Sequence, residues 1–141
     1  MVAIGERFAE RVHFDAQGIR RFAELCGDWN PLHHDVEAAA MSPFGTLIAS
    51  GPHLTSLMMG MNATYFSRRF DALGLEFAFR FVRAVPVEAT LLLEWTVDGV
   101  VPKVSLAGHV VTLDGRAVDA AGGVYVTGRG TMLIRERQET S

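Results

Sequence analysis

The residues best equipped for chemistry lie in one short stretch, residues 27–35, which reads G-D-W-N-P-L-H-H-D. Within it, Asp28 and His33 are five positions apart, and Asn30 lies between them, followed by a proline. Proline disfavours the helical conformation at the residue before it, so the stretch is not one plain helix. The resulting bend lets the carboxylate and the imidazole converge on one point, where they could activate a water molecule or deliver a proton.

The same stretch is also compatible with a purely structural role. Asp28 and Asn30 are strong turn and capping residues, so the stretch could simply connect two helices. His33, His34 and Asp35 could suggest a metal site, but adjacent histidines project differently and no third ligand follows at helical spacing. On residue types alone, a structural turn is therefore favoured, an acid–base pair stays open, and a metal site is disfavoured.

The elements before this stretch predict where it begins. Loose alternation over residues 7–14 predicts a first strand, and Asp15 is placed to cap a following helix. A helix C-terminus favours a left-handed residue, so Gly27 predicts its end. Cys26, in the last turn, is interpreted as a small buried residue and not as a nucleophile. The apolar stripe that predicts this amphipathic helix consists of Ile19, Phe22, Ala23 and Cys26.

A longer helix is predicted from about Pro52 to Ser67, because a proline is favoured just inside a helix start and apolar residues recur at helical spacing after it. Apolar or small residues lie on its other sides too, which predicts burial nearly all round. Gly51 precedes it, so its N–H lies at the positive end of the helix dipole, and no side chain blocks a carbonyl oxygen. An acid, a base and this donor would suffice to add or remove water beside a polarised carbonyl.

From Leu75 onward the pattern changes to strands, with alternation along residues 77–82, 91–97, 104–113 and 117–134. Asp114-Gly115 predicts a hairpin turn, and Gly122-Gly123 predicts a bulge or bend. The predicted fold class is α+β, with an antiparallel sheet wrapped around one long central helix in a single domain over residues 1–141. An exposed sheet edge or face would favour a dimer.

Composition excludes several classes of function. The net charge is −3 and the basic residues are scattered, which argues against a nucleic-acid-binding face and against docking on anionic membranes. No apolar run approaches the roughly 20 residues of a membrane-spanning helix, and the N-terminus lacks the pattern of a secretory signal. The single cysteine excludes a disulfide framework within one chain and a zinc site built on cysteines. The sequence thus predicts a soluble cytoplasmic protein.

The run F-A-E-L-C-G-D-W-N-P-L-H-H-D, residues 22–35, resembles the hydratase motif of the MaoC-like (R)-specific enoyl-CoA hydratases. Phe44-Gly45 and the sequence I-A-S-G at residues 48–51 resemble the second block of that family, and residues 81–87 resemble the strand end that follows. The resemblance covers nearly the whole chain. It implies a hot-dog fold, a homodimer with the acyl-CoA tunnel near the subunit interface, and no metal or redox cofactor.

The resemblance also implies roles for particular residues. Asp28 and His33 match the catalytic pair, which holds one water for addition across the C2–C3 double bond of a trans-2-enoyl thioester. Gly51 matches the backbone donor that polarises the thioester carbonyl. The implied function is reversible hydration or dehydration of an acyl-CoA. The residues expected to border the substrate or shape its loop are Asn30, Phe44, Gly45, Ser50, His53, Ser56 and Met59.

Two positions depart from the family pattern. Some members carry a serine where Met59 aligns, whereas here Ser56 lies one turn earlier. Pro52-His53 replaces small or apolar residues, so His53 could narrow the tunnel mouth or meet a polar acyl group. Two other functions stay open, an acyl-CoA thioesterase of the same fold and a non-catalytic module that binds acyl thioesters. The presence of both Asp28 and His33 counts against the binding module.

Overall fold

The computed structural model describes residues 1–138 and shows a five-stranded antiparallel sheet in the order β1-β3-β4-β5-β2, with one long helix packed against it. The strands are β1 (Arg7–His13), β2 (Phe70–Phe81), β3 (Thr90–Lys103), β4 (Gly108–Val118) and β5 (Val124–Glu136). The helices are α1 (Ala16–Cys26), α2 (Val36–Ala40) and α3 (Gly51–Ser67), with 3-10 turns at Pro31–His33 and Val104–Leu106. The predicted α+β hot-dog fold is confirmed.

The two ends of α1 form as local chemistry predicts. The Asp15 carboxylate accepts a hydrogen bond from the Gly18 N–H at 2.6 Å, which satisfies an N–H that the helix itself cannot pair. Gly27 ends the helix in the left-handed conformation, at φ 71°, and its N–H donates to the Glu24 carbonyl. These caps determine the position at which the chain enters the stretch that contains Asp28.

The predicted burial of Cys26 is wrong, because its side chain is exposed. Ile19 and Ala23, earlier on the same stripe, are fully buried, and Phe22 stacks on His53 of α3. The stripe is therefore covered where α1 lies against α3, whereas the last turn of α1 extends beyond that cover. Helical spacing predicted which side chains share a face, but not how far the neighbouring helix reaches.

Helix α3 is fixed to the sheet at its midpoint. The Trp95 indole N–H donates to the Met58 carbonyl at 2.8 Å, and both side chains are fully buried. The prediction that α3 is buried nearly all round is wrong, since Met59, one residue further, is 42% exposed. Only one side of the helix packs on the sheet of its own chain. No helix within residues 1–138 is both long enough and apolar enough to cross a membrane.

The predicted hairpin turn at Asp114-Gly115 is also wrong, because β4 continues through both residues. A Cβ on Gly115 would lie 2.5 Å from the Trp95 ring, so the glycine allows the indole to lie flat on the sheet. The turn between β3 and β4 lies instead at residues 104–107, where Ala107 has a φ of 51°. Close packing against Trp95, and not a reversal of the chain, therefore accounts for this glycine.

Two further strand boundaries differ from the sequence prediction. Strand β2 begins at Phe70 and not at Leu75, with a register shift between Gly74 and Glu76. Residues 117–134 are interrupted at Gly122-Gly123, as predicted, but by a turn over residues 119–123 that separates β4 from β5 and not by a bulge within one strand. The Asp119 carboxylate stabilises that turn by accepting the Gly123 N–H at 2.8 Å. The alternation of apolar residues did not reveal these ends.

We expect Gly115→Ala to lower the free energy of unfolding by about 1–3 kcal/mol, because the new methyl group overlaps the Trp95 ring. Gly99→Ala is the matched control, since Gly99 also lies in a strand but a Cβ there meets nothing closer than 3.9 Å. That control should leave stability unchanged or raise it slightly. Urea unfolding of the three proteins measures the difference, and equal stability of the two variants would contradict the packing argument.

Candidate active site

The stretch from residue 27 to residue 35 folds into two successive side-chain turns. The Asn30 N–H donates to Asp28 Oδ1 at 3.0 Å, and the Leu32 N–H donates to Asn30 Oδ1 at 3.1 Å. Asn30 has the extended conformation that the following Pro31 requires, at φ −57° and ψ 123°. Aspartate and asparagine form such turns because their short side chains reach a backbone N–H two residues ahead. This places His33 beside Asp28.

The Asp28 carboxylate and the His33 imidazole lie together, with 3.3 Å between Asp28 Oδ2 and His33 Nε2. The His33 side chain is nearly buried, at 7% exposure, whereas that of Asp28 is 31% exposed. One member of the pair is thus enclosed by protein, while the other reaches solvent. A small molecule from solvent can approach the pair from the side of the carboxylate.

A hydrogen bond determines which nitrogen of His33 faces Asp28. Nδ1 of His33 lies 2.8 Å from the Ile48 carbonyl oxygen, which can only accept, so Nδ1 carries a proton and donates it. In the neutral imidazole, Nε2 then presents a lone pair toward a carboxylate oxygen. The carboxylate oxygen is an acceptor as well, so a water molecule beside the two atoms can donate a hydrogen bond to both. The geometry therefore suits the binding and activation of a water.

Gly51 begins α3, and its N–H is the uncommitted donor of the first turn. Pro52 has no N–H, and the His53 N–H donates to the Ser50 carbonyl at 3.1 Å. Ser50 is the N-cap, yet its side chain makes no capping hydrogen bond. Within residues 1–138, no acceptor is found for the Gly51 N–H. This N–H, at the positive end of the helix, is placed to bind a carbonyl oxygen of a ligand.

A cleft of about 340 Å³ opens at Gly51. Phe81, the last residue of β2, lies against the glycine so closely that a Cβ on Gly51 would be 2.8 Å from the ring. Phe44, a predicted substrate neighbour, lines the same cleft and is about half exposed. The other lining residues are mostly apolar: Ala49, Leu54, Val82, Arg83, Ala84, Val85 and Val126. The cleft thus suits an apolar group beside a polar anchor at the Gly51 N–H.

The segment just before α3 connects the cleft to the acid–base pair. Ile48 accepts from His33 through its carbonyl, and its N–H donates to the Leu32 carbonyl at 3.1 Å. Ala49, the next residue, lines the cleft. Asp28 and His33 are not among the residues that line it. The structure therefore joins the pair to Gly51 through three residues of backbone.

The remaining predicted substrate neighbours lie in different surroundings. Gly45 lies in the turn after Phe44, at φ 71°, and Ser50 is almost fully buried with no partner for its hydroxyl within residues 1–138. Ser56 lies in a groove between α3 and β1, whereas Met59 lies in a groove between α3 and β2. Ser56 and Met59 thus line different grooves beside α3. Neither lines the cleft at Gly51.

His53 packs against α1. Its ring stacks on Phe22 at 4.6 Å between centroids and meets Phe14 edge-on at 5.2 Å. Its Nδ1 is buried without a hydrogen-bond partner within residues 1–138. Burial lowers the pKa of His53 below the usual 6.5, and the nearby Asp15 carboxylate opposes this only in part. The aromatic neighbours, and not the cleft, determine the environment of this histidine.

A family model described as MaoC like domain matches residues 3–117, which is most of the chain. The chain belongs to the MaoC-like family. The solved structures of two (R)-hydratases have the same overall architecture as this chain. The R-hydratase PhaJ1 from Pseudomonas aeruginosa superimposes with a TM-score of 0.85 at 24% identity, over 99% of this chain and 88% of that one. An (R)-hydratase from A. caviae involved in PHA biosynthesis gives 0.82 at 26% identity, over 93% and 96%.

A curated relative points to the same reaction class. A mitochondrial 3-hydroxyacyl-[acyl-carrier-protein] dehydratase from Arabidopsis thaliana is 29% identical over 66 residues, which is 47% of this chain. The match spans only 40% of the length of that protein. These similar proteins are thus two hydratases and a dehydratase, which act in opposite directions of one type of reaction.

Three contributors to the site of this MaoC-like chain are not evident from its sequence. The Ile48 carbonyl had no signal, because any residue type can supply a carbonyl oxygen. Phe81 had a signal, since it ends the alternating run of β2, but its contact with Gly51 is not local. His34, whose Nε2 lies 2.7 Å from the Asp28 carbonyl oxygen, was considered only as a metal ligand. No group of three or more His, Cys, Asp or Glu side chains within residues 1–138 is arranged to hold a metal ion.

The lowered pKa of His53 makes a prediction about stability and pH. The unfolded chain protonates this histidine near pH 6.5, before the folded chain does, so acidification below that value favours the unfolded state. The contribution of neutral His53 to stability is complete above pH 6.5 and is lost as the pH falls toward the lowered folded pKa. We expect the free energy of unfolding to decrease from pH 7.5 to pH 5.5.

His53→Phe keeps an aromatic ring against Phe22 and removes the titrating group. The free energy of unfolding of this variant should therefore decrease less than that of the wild type over the same pH range. Chemical denaturation at several pH values measures both proteins. Carboxylates such as Glu94, whose pKa lies below its usual 4.5, change their protonation state at lower pH. They therefore do not affect this comparison. Parallel pH profiles of the two proteins would contradict the assignment to His53.

Proposed function

We propose that this MaoC-like chain catalyses the reversible addition of water to a trans-2-enoyl thioester, with an acyl-CoA as the substrate and a 3-hydroxyacyl thioester as the product. One observation carries the proposal. The Nε2 of His33 lies 3.3 Å from the Asp28 carboxylate, while Nδ1 of the same ring is held by Ile48, three residues before Gly51. The pair that would hold the water and the N–H that would bind the thioester carbonyl are thereby connected by the short segment of residues 48–50.

The pair supplies the proton transfers of the reaction. A water held between Asp28 and His33 attacks C3 of the substrate through its oxygen, and one of its protons passes to the pair. The pair then returns a proton to C2, so that the elements of water have been added across the double bond. Positioned groups of this kind accelerate reactions by roughly 10²–10⁴-fold. Dehydration follows the same steps in reverse.

The negative charge that forms between these two proton transfers lies largely on the thioester oxygen. The Gly51 N–H donates a hydrogen bond to this oxygen, at the positive end of α3. A donor fixed in place before the reaction stabilises the charge without reorganisation, and removing one such donor costs about 10²–10³-fold in other enzymes. The mostly apolar lining of the cleft lowers the local polarity and so strengthens this interaction.

The first test replaces each member of the pair. Asp28→Asn and His33→Gln should each lower the hydration of crotonyl-CoA by roughly 10²–10⁴-fold, because neither amide exchanges a proton at neutral pH. The double variant should be little worse than either single variant, since the two groups act as one unit. Loss of absorbance of the conjugated thioester measures the rate, and the configuration of the product at C3 is determined at the same time.

His109→Gln is the matched control, because His109 lies in β4, away from the pair. It should hydrate crotonyl-CoA like the wild type. Wild-type rates in Asp28→Asn and His33→Gln would overturn the assignment of the pair. A thiol reagent added to the same assay detects release of free CoA, and release without hydration would show a thioesterase instead.

A second test concerns the space at Gly51. Gly51→Ala should reduce kcat/KM by about ten- to hundredfold, because the new methyl group displaces the Phe81 ring or shifts the start of α3. Adding Phe81→Ala removes the ring, so the double variant should recover at least about tenfold. Gly60→Ala is the control in the same helix, since a Cβ there meets no atom within 4 Å. Failure of the double variant to recover would exclude the clash as the cause.

A further inference from the structure

A second histidine beside the pair makes a contact that the proposed reaction does not use. Nε2 of His34 lies 2.7 Å from the backbone carbonyl oxygen of Asp28. A carbonyl oxygen only accepts, so this nitrogen carries a proton and donates it. The His34 ring also lies on Trp29, with 5.2 Å between centroids and 25° between planes. The side chain therefore bridges back across the turn that holds Asp28.

The backbone of His34 is itself fixed to α1. The Arg20 side chain donates from Nε to the His34 carbonyl oxygen at 3.2 Å. The His34 N–H donates to the Pro31 carbonyl at 3.1 Å, at the end of the 3-10 turn. His34 is thus held from two elements, and it transmits that constraint to Asp28. A side chain fixed in this way can position another residue.

The two adjacent histidines anchor opposite ends of the site. His33 points to Ile48, which belongs to the segment before α3, whereas His34 points to Asp28, which follows α1. The two histidines are adjacent in the chain. The contact of His34 with Asp28 therefore also limits the distance between Asp28 and His33. Without His34, Asp28 would keep its contact with His33 and two local hydrogen bonds, from its N–H to the Ala23 carbonyl and from the Asn30 N–H to its carboxylate.

We infer that His34 is a positioning residue for the reaction: its Nε2–H holds the Asp28 carbonyl and thereby keeps the Asp28 carboxylate within reach of the water on His33. This inference rests on the proposed function. His34 acts through Asp28 and takes no part in proton transfer. A misplacement of about 1 Å can reduce turnover by about 10²-fold. Loss of the His34 contact therefore affects kcat, while thioester binding at Gly51 is maintained.

The test compares two replacements of similar size. His34→Met has no donor, and we expect kcat for crotonyl-CoA to fall by about 10–100-fold with KM changed by less than about twofold. His34→Gln carries an amide N–H that can reach the same carbonyl, so it should stay within about fivefold of the wild type. His109→Gln reports the effect of replacing a histidine outside the site. Thermal unfolding of each variant shows the folded fraction.

Three results would overturn the inference. Equal losses in His34→Met and His34→Gln would show that the donor is not what matters. A loss carried by KM would show that His34 contacts the substrate. If His34→Met keeps the wild-type kcat, with or without a lower melting temperature, the role of the His34 side chain is purely structural.

An activity-independent measurement separates this inference from the proposed function. If the wild-type protein hydrates no enoyl thioester, the proposed function fails, and the ring ¹H–¹⁵N signals of His33 then test the positioning at constant pH. Both variants lose the His34 ring, whose centroid lies 6.5 Å from that of His33, so each moves these signals to some extent. His34→Met should move them further than His34→Gln, because only there does the Asp28 carboxylate shift relative to the His33 ring. Equal shifts in the two variants would overturn the positioning role whatever the reaction.

Discussion

The hydrogen bond from His33 Nδ1 to the Ile48 carbonyl is the interaction on which the site depends. It selects the nitrogen that faces Asp28, and it ties the stretch after α1 to the start of α3. An unpaired buried imidazole N–H would cost about 1–3 kcal/mol, which is more than the net value of an ordinary hydrogen bond. The nearly complete burial of His33 therefore makes this bond a condition of folding as well as of chemistry.

The segment that carries Ile48 is in turn held by the connection between β2 and β3. Ile48 forms an isolated bridge with Pro86, the Ala49 N–H donates to the Val85 carbonyl at 2.9 Å, and the Val87 N–H donates to the Leu47 carbonyl at 2.8 Å. The connection between β2 and β3 thus supports the acid–base pair from behind. Because Gly51 follows this segment directly, the same contacts place the carbonyl site and the water site relative to each other.

The start of α3 forgoes local stabilisation in a way that suits a ligand site. Serine at an N-cap usually pairs with an N–H of the first turn and stabilises a helix by about 1 kcal/mol. Ser50 makes no such bond, and its hydroxyl is buried without a partner within residues 1–138. Helix α3 is instead held at its midpoint by Trp95, which lies flat over Gly115. Tertiary packing therefore replaces the missing cap, while the Gly51 N–H has no acceptor within residues 1–138.

The sequence by itself determined the features that depend on neighbours in the chain. Local hydrogen bonds and the particular backbone preferences of proline and glycine account for several features. These are the caps at Asp15 and Gly27, the bend at Asn30-Pro31 and the start of α3. The spacing of Asp28 and His33 on such a bend left an acid–base pair open beside a structural turn, and the resemblance to the family motif implied a reaction for it. These features needed no knowledge of the sheet.

Only the tertiary structure decided the features that depend on contacts between distant elements. Gly115 is typical of a turn in sequence, but Trp95, on the neighbouring strand, makes it a packing site. Cys26 lies on an apolar stripe, but the cover by α3 ends before it. His53 packs between Phe14 and Phe22, and Phe81 lies against Gly51 from the far edge of the sheet. Periodicity identifies which side chains share a face, whereas only the packed chain determines what lies opposite that face.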